Sequence, residues 1–221
     1  GGRRHQGRHQ GGGRQGRCAL HREEGEEEAI AAPSYQEVVE LSPEAPRLAR
    51  SLLGTVLASG FGGERVSGLI VETEAYLGVG DPASHAWRGR RQRSRLGIWS
   101  PPGHWYVYRS HGLHWCLNIT CGPPGLGAAV LLRGLEPREG IDLMRRRRAG
   151  APDRRLANGP GKLTQALAIT GELDGVALDV AAAIRLEGKD ASSAARQVSI
   201  TPRIGISRAT EWPLRFVMAA D

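Results

Sequence analysis

Short runs in which apolar and polar side chains alternate dominate this chain, and that pattern restricts it to a fold built on a sheet. Leu69 to Leu77, Trp105 to Tyr108, Leu113 to Thr120, Ala128 to Arg133, Val198 to Ile206 and Leu214 to Val217 each read as strands. Helical spacing is rarer. Ser42-Pro43-Glu44 followed by Leu48, Leu52 and Leu53 reads as a capped helix with one apolar face. Pro137 to Arg148 and Gly161 to Ile169 read as two more, and Gly60, Gly62 and Gly63 as a turn. Residues 78–103 carry Gly, Pro and Arg without a period, so a long irregular segment is expected there. Many strands and few helices predict the α+β class: a single domain with a curved, largely antiparallel sheet and a few packed helices. A chain of 221 residues can bury roughly 70% of its unfolded surface and needs no disulfide staples.

Composition removes several classes. The longest apolar run, Ala128 to Leu132, is about five residues, too short to span a membrane. Three Cys (Cys18, Cys116, Cys121) cannot all pair, which argues against a disulfide-built module. Residues 1–28 hold Gly, Arg, Gln, His and Glu in low complexity, so a disordered tail over residues 1–31 is expected, with the folded body from Ala32 to residue 221. No apolar segment follows the early Arg residues, so no secretory signal is expected. The net charge is +7, from 30 basic and 23 acidic residues, and 28 of the bases are Arg. The tail, with six Arg and five Glu, accounts for only +1 of it. The body is therefore basic, which favours an anionic partner.

Seven of the eleven aromatics fall between residues 76 and 115: Tyr76, Trp87, Trp99, Trp105, Tyr106, Tyr108 and Trp115. The same stretch holds four His and six Arg, including Arg90 and Arg109, and no acidic side chain occurs from Pro82 to Leu117. Arg neutralises phosphates, and aromatic faces stack unpaired bases. The plain alternative is a hydrophobic core beside a solvated basic loop.

The strand Val71-Glu72-Thr73-Glu74-Ala75-Tyr76 sharpens the choice. Alternation puts Glu72, Glu74 and Tyr76 on one face and Leu69, Val71 and Ala75 on the other. Carboxylates at i and i+2 stand about 6.5–7 Å apart, within the range of the acid–base pairs of sugar hydrolases. A carboxylate there could orient a water and take its proton. A lone Glu on a solvated sheet face would need no such role.

Metal chemistry is not indicated. His111-x-x-His114 with Cys116 and Cys121 lacks the C-x-x-C or H-E-x-x-H spacing of a zinc site. Gly159-Pro160-Gly161-Lys162 resembles a phosphate loop, but Leu163 stands where a P-loop needs Ser or Thr. A backbone cradle for one DNA phosphate, assisted by Lys162, remains available there, as does an ordinary helix start. Arg145 to Arg148 suit a helix C-terminus and read as a solvated face.

Four motifs in order carry a resemblance: Leu48-Ala49-Arg50-Ser51-Leu52-Leu53-Gly54, Ile70-Val71-Glu72-Thr73-Glu74-Ala75-Tyr76, Pro102-Gly103-His104-Trp105-Tyr106-Val107-Tyr108 and Asn158-Gly159-Pro160-Gly161-Lys162-Leu163. With Val130-Leu131-Leu132-Arg133, Glu136-Pro137, Gly205-Ile206 and Pro213-Leu214-Arg215-Phe216, they cover residues 40–217. The sequence resembles the 3-methyladenine (alkyladenine) DNA glycosylases. The resemblance implies excision of alkylated purines in base-excision DNA repair, with no metal and no organic cofactor. It implies Glu74 as general base and Arg133 as the residue placing the water. It implies Tyr76, His85 and Tyr108 around a flipped base, and Asn118 crowding the amine of undamaged guanine. His111 occupies the position that wedges into the duplex, where the family commonly has Tyr. Arg90 and Lys162 are expected on the DNA backbone. The partner implied is double-stranded DNA containing damaged purines, bound by a monomer away from membranes, in the cytoplasm and nucleoid of a bacterium or the nucleus of a eukaryote. Lys162 and Lys189 are the only lysines and lie far in sequence from the Glu strand, so a Schiff-base lyase step is not expected. Non-catalytic nucleic-acid binding and hydrolysis of small nucleosides by Glu72 with Glu74 are the competing readings.

Overall fold

The structure is a computed structural model that describes residues 35, 43–89 and 96–220. The tail expected over residues 1–31 lies outside the described residues. Helix α1 (Glu44–Leu52) is followed by β1 (Thr55–Ser59), β2 (Val66–Tyr76), β3 (Trp105–Ser110), β4 (His114–Cys121) and β5 (Ala128–Glu139). Helices α2 (Ile141–Arg147) and α3 (Pro160–Ala166) come next, then β6 (Ile184–Lys189), β7 (Val198–Thr201) and β8 (Arg215–Met218). All recorded strand pairs are antiparallel, in the order β3-β4-β5-β2-β1-β6, with β8 joining β2 to β7. This is the α+β architecture the alternating runs predict.

Strand β2 is the axis of the sheet. One edge pairs along its length with β5, and the other is shared between β1 at residues 66–69 and β8 at residues 72–74. At the changeover the β2–β5 register slips twice: Ile70 faces Leu135, Glu72 faces Gly134, and Thr73 faces Leu132. Val71 and Arg133 are thereby left as extra residues on their strands, one bulge on each. The bulges reverse the alternation. Val66 and Ile70 enter the main core before them, and Ala75 and Leu77 after them. Leu69 therefore does not share a face with Ala75, as strict alternation predicts, although it is fully buried. Glu72, Glu74 and Tyr76 all follow Val71, the extra residue on β2, and keep their common face.

The core lies between the sheet and the helices. Helix α1 buries Ala45, Ala49 and Leu52 at helical spacing, and Thr73 anchors it by donating to the Ala49 carbonyl at 2.9 Å. Helix α3 buries Leu163 and Ala166, and Thr164 donates to the Trp115 carbonyl on β4 at 2.9 Å. Each fully buried Leu contributes about 1.5–3 kcal/mol, which holds both helices to the strands that carry the site.

Two boundaries differ most from the sequence reading. Pro137 to Glu139 extend β5, and helix α2 begins only at Ile141. Gly140 makes the break: its φ of 67° is left-handed, and a Cβ there would meet the Arg65 carbonyl oxygen at 2.6 Å. Strand β7 stops at Thr201, so Arg203 to Ile206 form a loop and not the end of a strand. The arginine run is also less solvated than expected. Arg147 donates to the carbonyls of Phe61 at 2.7 Å and Ala166 at 3.0 Å, and Arg148 to that of Leu156 at 3.1 Å. The bond to Ala166 ties α2 to α3, and the others tie the end of α2 to the turn after β1 and to the segment before α3. Among the described residues no helix is long and apolar enough to cross a membrane.

Candidate active site

The end of β2 delivers Glu74 into a fully enclosed environment. The carboxylate has no exposed surface and three directional contacts fix it. Tyr76 donates its hydroxyl to Oε2 at 2.9 Å, the Ile204 backbone N–H donates to Oε1 at 2.8 Å, and Arg133 Nε stands 3.4 Å from Oε1. The charge of Arg203 also acts on it. Burial raises the Glu74 pKa above its ordinary value, and the Arg133 charge and the two hydrogen bonds only partly offset that rise.

Glu72, one pleat away, sits in the opposite electrostatic situation. Its Oε1 accepts from Arg133 Nε at 2.9 Å and from Arg215 Nε at 2.6 Å. Burial acts upward on its pKa, but the hydrogen bonds from Arg215 and Arg133 outweigh it and the net shift is downward. Gly134 makes room for this carboxylate, since a Cβ there would lie 3.1 Å from Glu72 Cβ and 3.3 Å from its Oε2. Arg133 bridges both acids because the β5 bulge aims it at them.

Beside this cluster opens a cavity of about 640 Å³, within the usual range for small-ligand sites. Tyr76, His85, Tyr108, Asn118 and His111 all line it. His85 stands edge-on to Tyr108 with ring centroids 4.4 Å apart, and Tyr108 stacks on Tyr106 at 5.3 Å. Burial, the first cause, raises the pKa of Tyr108 and that of Tyr76, so both phenols stay neutral. Asn118 is buried, and its Nδ2 donates to the carbonyls of Tyr106 at 3.0 Å and Cys116 at 3.4 Å.

His111 lies at the rim, in the tight turn between β3 and β4. Its φ of 48° and the 69° of Gly112 are both left-handed, and Leu113 N–H closes the turn on the Ser110 carbonyl at 2.9 Å. Gly205 to Arg208 line the cavity as well. Lys162 does not line it. This side chain, on the first turn of α3, is hydrogen-bonded to Asn158 at 2.8 Å. Arg90 lies outside the described residues.

Sequence reasoning missed four contributors. Tyr106 lines the cavity and its hydroxyl is 2.7 Å from His85 Nδ1. The period of two, which puts Tyr106 with Tyr108, carried that signal. Arg215, on β8, completes the acid–Arg cluster. Arg203 and Ile204 reach the site from a loop far along the chain, Ile204 lying 130 residues after Glu74. Nothing local marks them.

Fold and site together describe an α+β protein with an aromatic-walled cavity beside a buried carboxylate–guanidinium cluster. Comparison with known proteins places that arrangement. The sequence matches the family model described as methylpurine-DNA glycosylase over residues 40–221. A protein of Agrobacterium fabrum is 46% identical over 184 residues, covering 79% of this chain and 89% of its own length. Relatives from Nitrosospira multiformis (43% over 187 residues, 84% of this chain and 91% of theirs) and Methanoculleus marisnigri (45% over 174 residues, 77% and 88%) align similarly. All three bear the name "Putative 3-methyladenine DNA glycosylase". The chain belongs to the methylpurine-DNA glycosylase family.

Proposed function

We propose that this protein is a monofunctional DNA glycosylase that flips alkylated purines out of duplex DNA and hydrolyses the N-glycosidic bond, leaving an abasic site. The observation that carries the reading is the position of Glu74: fully buried, held by Tyr76, Ile204 and Arg133, and coupled through Tyr76 to a cavity walled by aromatics. A base stacked in a duplex is out of reach of any such carboxylate, so the nucleotide must leave the helix, at a cost of a few kcal/mol. Alkylation weakens pairing and lowers that cost.

Once in the cavity, an N3- or N7-alkylated purine is cationic. The Tyr76 and Tyr108 rings present electron-rich faces to it, and both phenols stay neutral because burial raises their pKa values. The same positive charge makes the base a good leaving group. As the C1′–N bond lengthens, the sugar gains oxocarbenium character, which an ionised Glu74 stabilises. Each oxygen of Glu74 already accepts a hydrogen bond, and a carboxylate has lone pairs for more. The carboxylate has no exposed surface in this structure, so in this reading the water reaches it as the flipped nucleotide enters, is oriented toward C1′ and loses its proton to Glu74. Burial raises the Glu74 pKa, and the neighbouring Arg133 charge acts against that rise and so favours the base form.

The two lysines support hydrolysis without lyase chemistry. Lys189 donates to the carbonyls of Ser51 and Leu53, Lys162 is bonded to Asn158, and neither lines the cavity. Localisation follows the DNA, and the chain acts as a monomer.

The test is release of 3-methyladenine from alkylated duplex DNA by wild type and by Glu74→Gln. Release by wild type with loss in the variant is expected. An active Glu74→Gln removes the assigned role. A wild type that binds DNA, with affinity falling steeply as salt rises, yet frees no base is a binding module.

A further inference from the structure

Behind Tyr76 lies an ion pair with no exposed surface on either side chain. Arg203 Nη1 is 2.6 Å from Asp81 Oδ2 and Arg203 Nη2 is 3.0 Å from Asp81 Oδ1. Nη1 also donates to the Ala75 carbonyl at 3.1 Å. The second carboxylate function of Asp81 is to close the chain after β2, accepting from the Leu77 and Ala83 backbone N–H groups at 3.0 Å each. The Arg203 guanidinium lies 4.7 Å from the centre of the Tyr76 ring. Arg203 does not line the cavity, whereas Tyr76 does, so the cation sits against the part of the ring turned away from it.

A buried ion pair contributes little net stability, because desolvation offsets its attraction. What this pair touches gives it another consequence. It joins the loop after β2, which carries His85, to the loop before β8, whose Ile204 N–H holds Glu74. It also places a full positive charge behind the ring that is to receive the base, with a full negative charge beside it to balance. The charge of Arg203 reaches both Tyr76 and Glu74. A base on the cavity side of Tyr76 would lie roughly 8–9 Å from the guanidinium, near enough for an unbalanced charge to repel a cation.

We propose that Asp81 and Arg203 are positioning residues that keep the rear of the base pocket electrically neutral, so that Tyr76 accepts cationic alkylpurines in preference to neutral lesions. The inference rests on the glycosylase reading above. It predicts a signature in substrate charge. Asp81→Asn leaves Arg203 unbalanced and should disfavour the cation selectively. Arg203→Gln leaves Asp81 unbalanced and should favour it. The double variant Asp81→Asn/Arg203→Gln restores neutrality with a similar hydrogen-bonding shape.

The experiment measures affinity for two duplexes with fluorinated, non-cleavable sugars, one bearing N7-methylguanine (cationic) and one hypoxanthine (neutral). The ratio of the two affinities is expected to fall about tenfold in Asp81→Asn, to rise by a similar factor in Arg203→Gln, and to return in the double variant. Scaffolding alone would weaken both duplexes together, so an unmoved ratio in folded single variants overturns the proposal. If the single variants fail to fold, the charge-balanced double variant decides, because a shifted ratio there overturns it too. A wild type that binds neither lesion more tightly than undamaged duplex defeats the glycosylase reading itself. One that distinguishes both lesions with the ratio insensitive to Asp81 defeats only this inference.

Discussion

The cavity end of β2 and the tip of the β3–β4 hairpin adjoin one pocket, yet they are built in opposite ways. Glu74 is enclosed and held by a tyrosine hydroxyl, a backbone N–H and a guanidinium. At the tip, His111 and Gly112 hold a two-residue left-handed turn and Leu113 beside them is 77% exposed. The first region is fixed by contacts drawn from β2, β5 and the loop before β8. The second is fixed by its own backbone. Chemistry that must place a water to a fraction of an ångström suits the first, and contact with a partner as large as a duplex suits the second. Substitutions in the two regions should therefore fail differently: in rate at the strand end, in affinity at the tip.

The largest effect belongs to Glu74→Gln. Base excision should fall by about 10²–10⁴-fold, measured as single-turnover release, with lesion binding retained. The fold should survive. A carboxyl whose pKa is raised by folding holds its proton more tightly in the native state. Its contribution to stability is present at low pH and lost as pH rises from the ordinary carboxylate value through the raised one. Gln lacks that loss, so thermal melts of the variant should gain on wild type as pH rises through this window. A variant that loses lesion affinity as strongly as rate would erase the contrast between the regions.

Arg133 and Glu72 give smaller effects of opposite sign in pH. Arg133 lowers the Glu74 pKa through its charge. Arg133→Gln should therefore move the acid limb of the rate profile to higher pH and reduce the rate about 10–100-fold. Glu72 competes for the same guanidinium. Glu72→Gln leaves Arg133 to Glu74 alone, so the acid limb should move to lower pH with a loss of about tenfold or less. Glu72 is held below its ordinary pKa, so its stabilising share is present above that ordinary value and lost as pH falls through the lowered one. Identical pH profiles for the two variants would show that they do not share one guanidinium. A Glu72→Gln loss as large as that of Glu74→Gln would favour a paired acid–base mechanism.

This division between the acids shows where sequence reading ends. The alternation of Glu72, Glu74 and Tyr76, the antiparallel class and the aromatic cavity were legible because a period of two is local. The bulges at Val71 and Arg133 were not, because an inserted residue shows only against its partner strand. That is also why strict alternation puts Leu69 and Ala75 on one face. Strands β1 and β6 carry no such signal for a different reason: Thr55 to Ser59 is mostly buried without alternation, and Ile184 to Lys189 is short and largely exposed. Arg203 pairs with Asp81 across 122 residues, and Ile204 follows it to Glu74. Such contacts are set by how a loop returns to the sheet, which no local pattern encodes.

The smallest effect tests the other side of the comparison. His111→Gly removes the ring at the rim while keeping a residue that adopts a φ of 48° without strain. The turn should form at least as readily as before, so a change in function cannot be assigned to a broken hairpin. Affinity for a lesion in duplex DNA is expected to fall about tenfold, since a stacking side chain contributes on the order of 1–3 kcal/mol. Release from a single strand, where no partner base has to be replaced in the stack, should hardly change. The two measurements separate filling the gap left by a flipped base from general adhesion to nucleic acid. Equal losses on single and double strands would make the tip one more contact surface and leave the strand end as the sole specialised region.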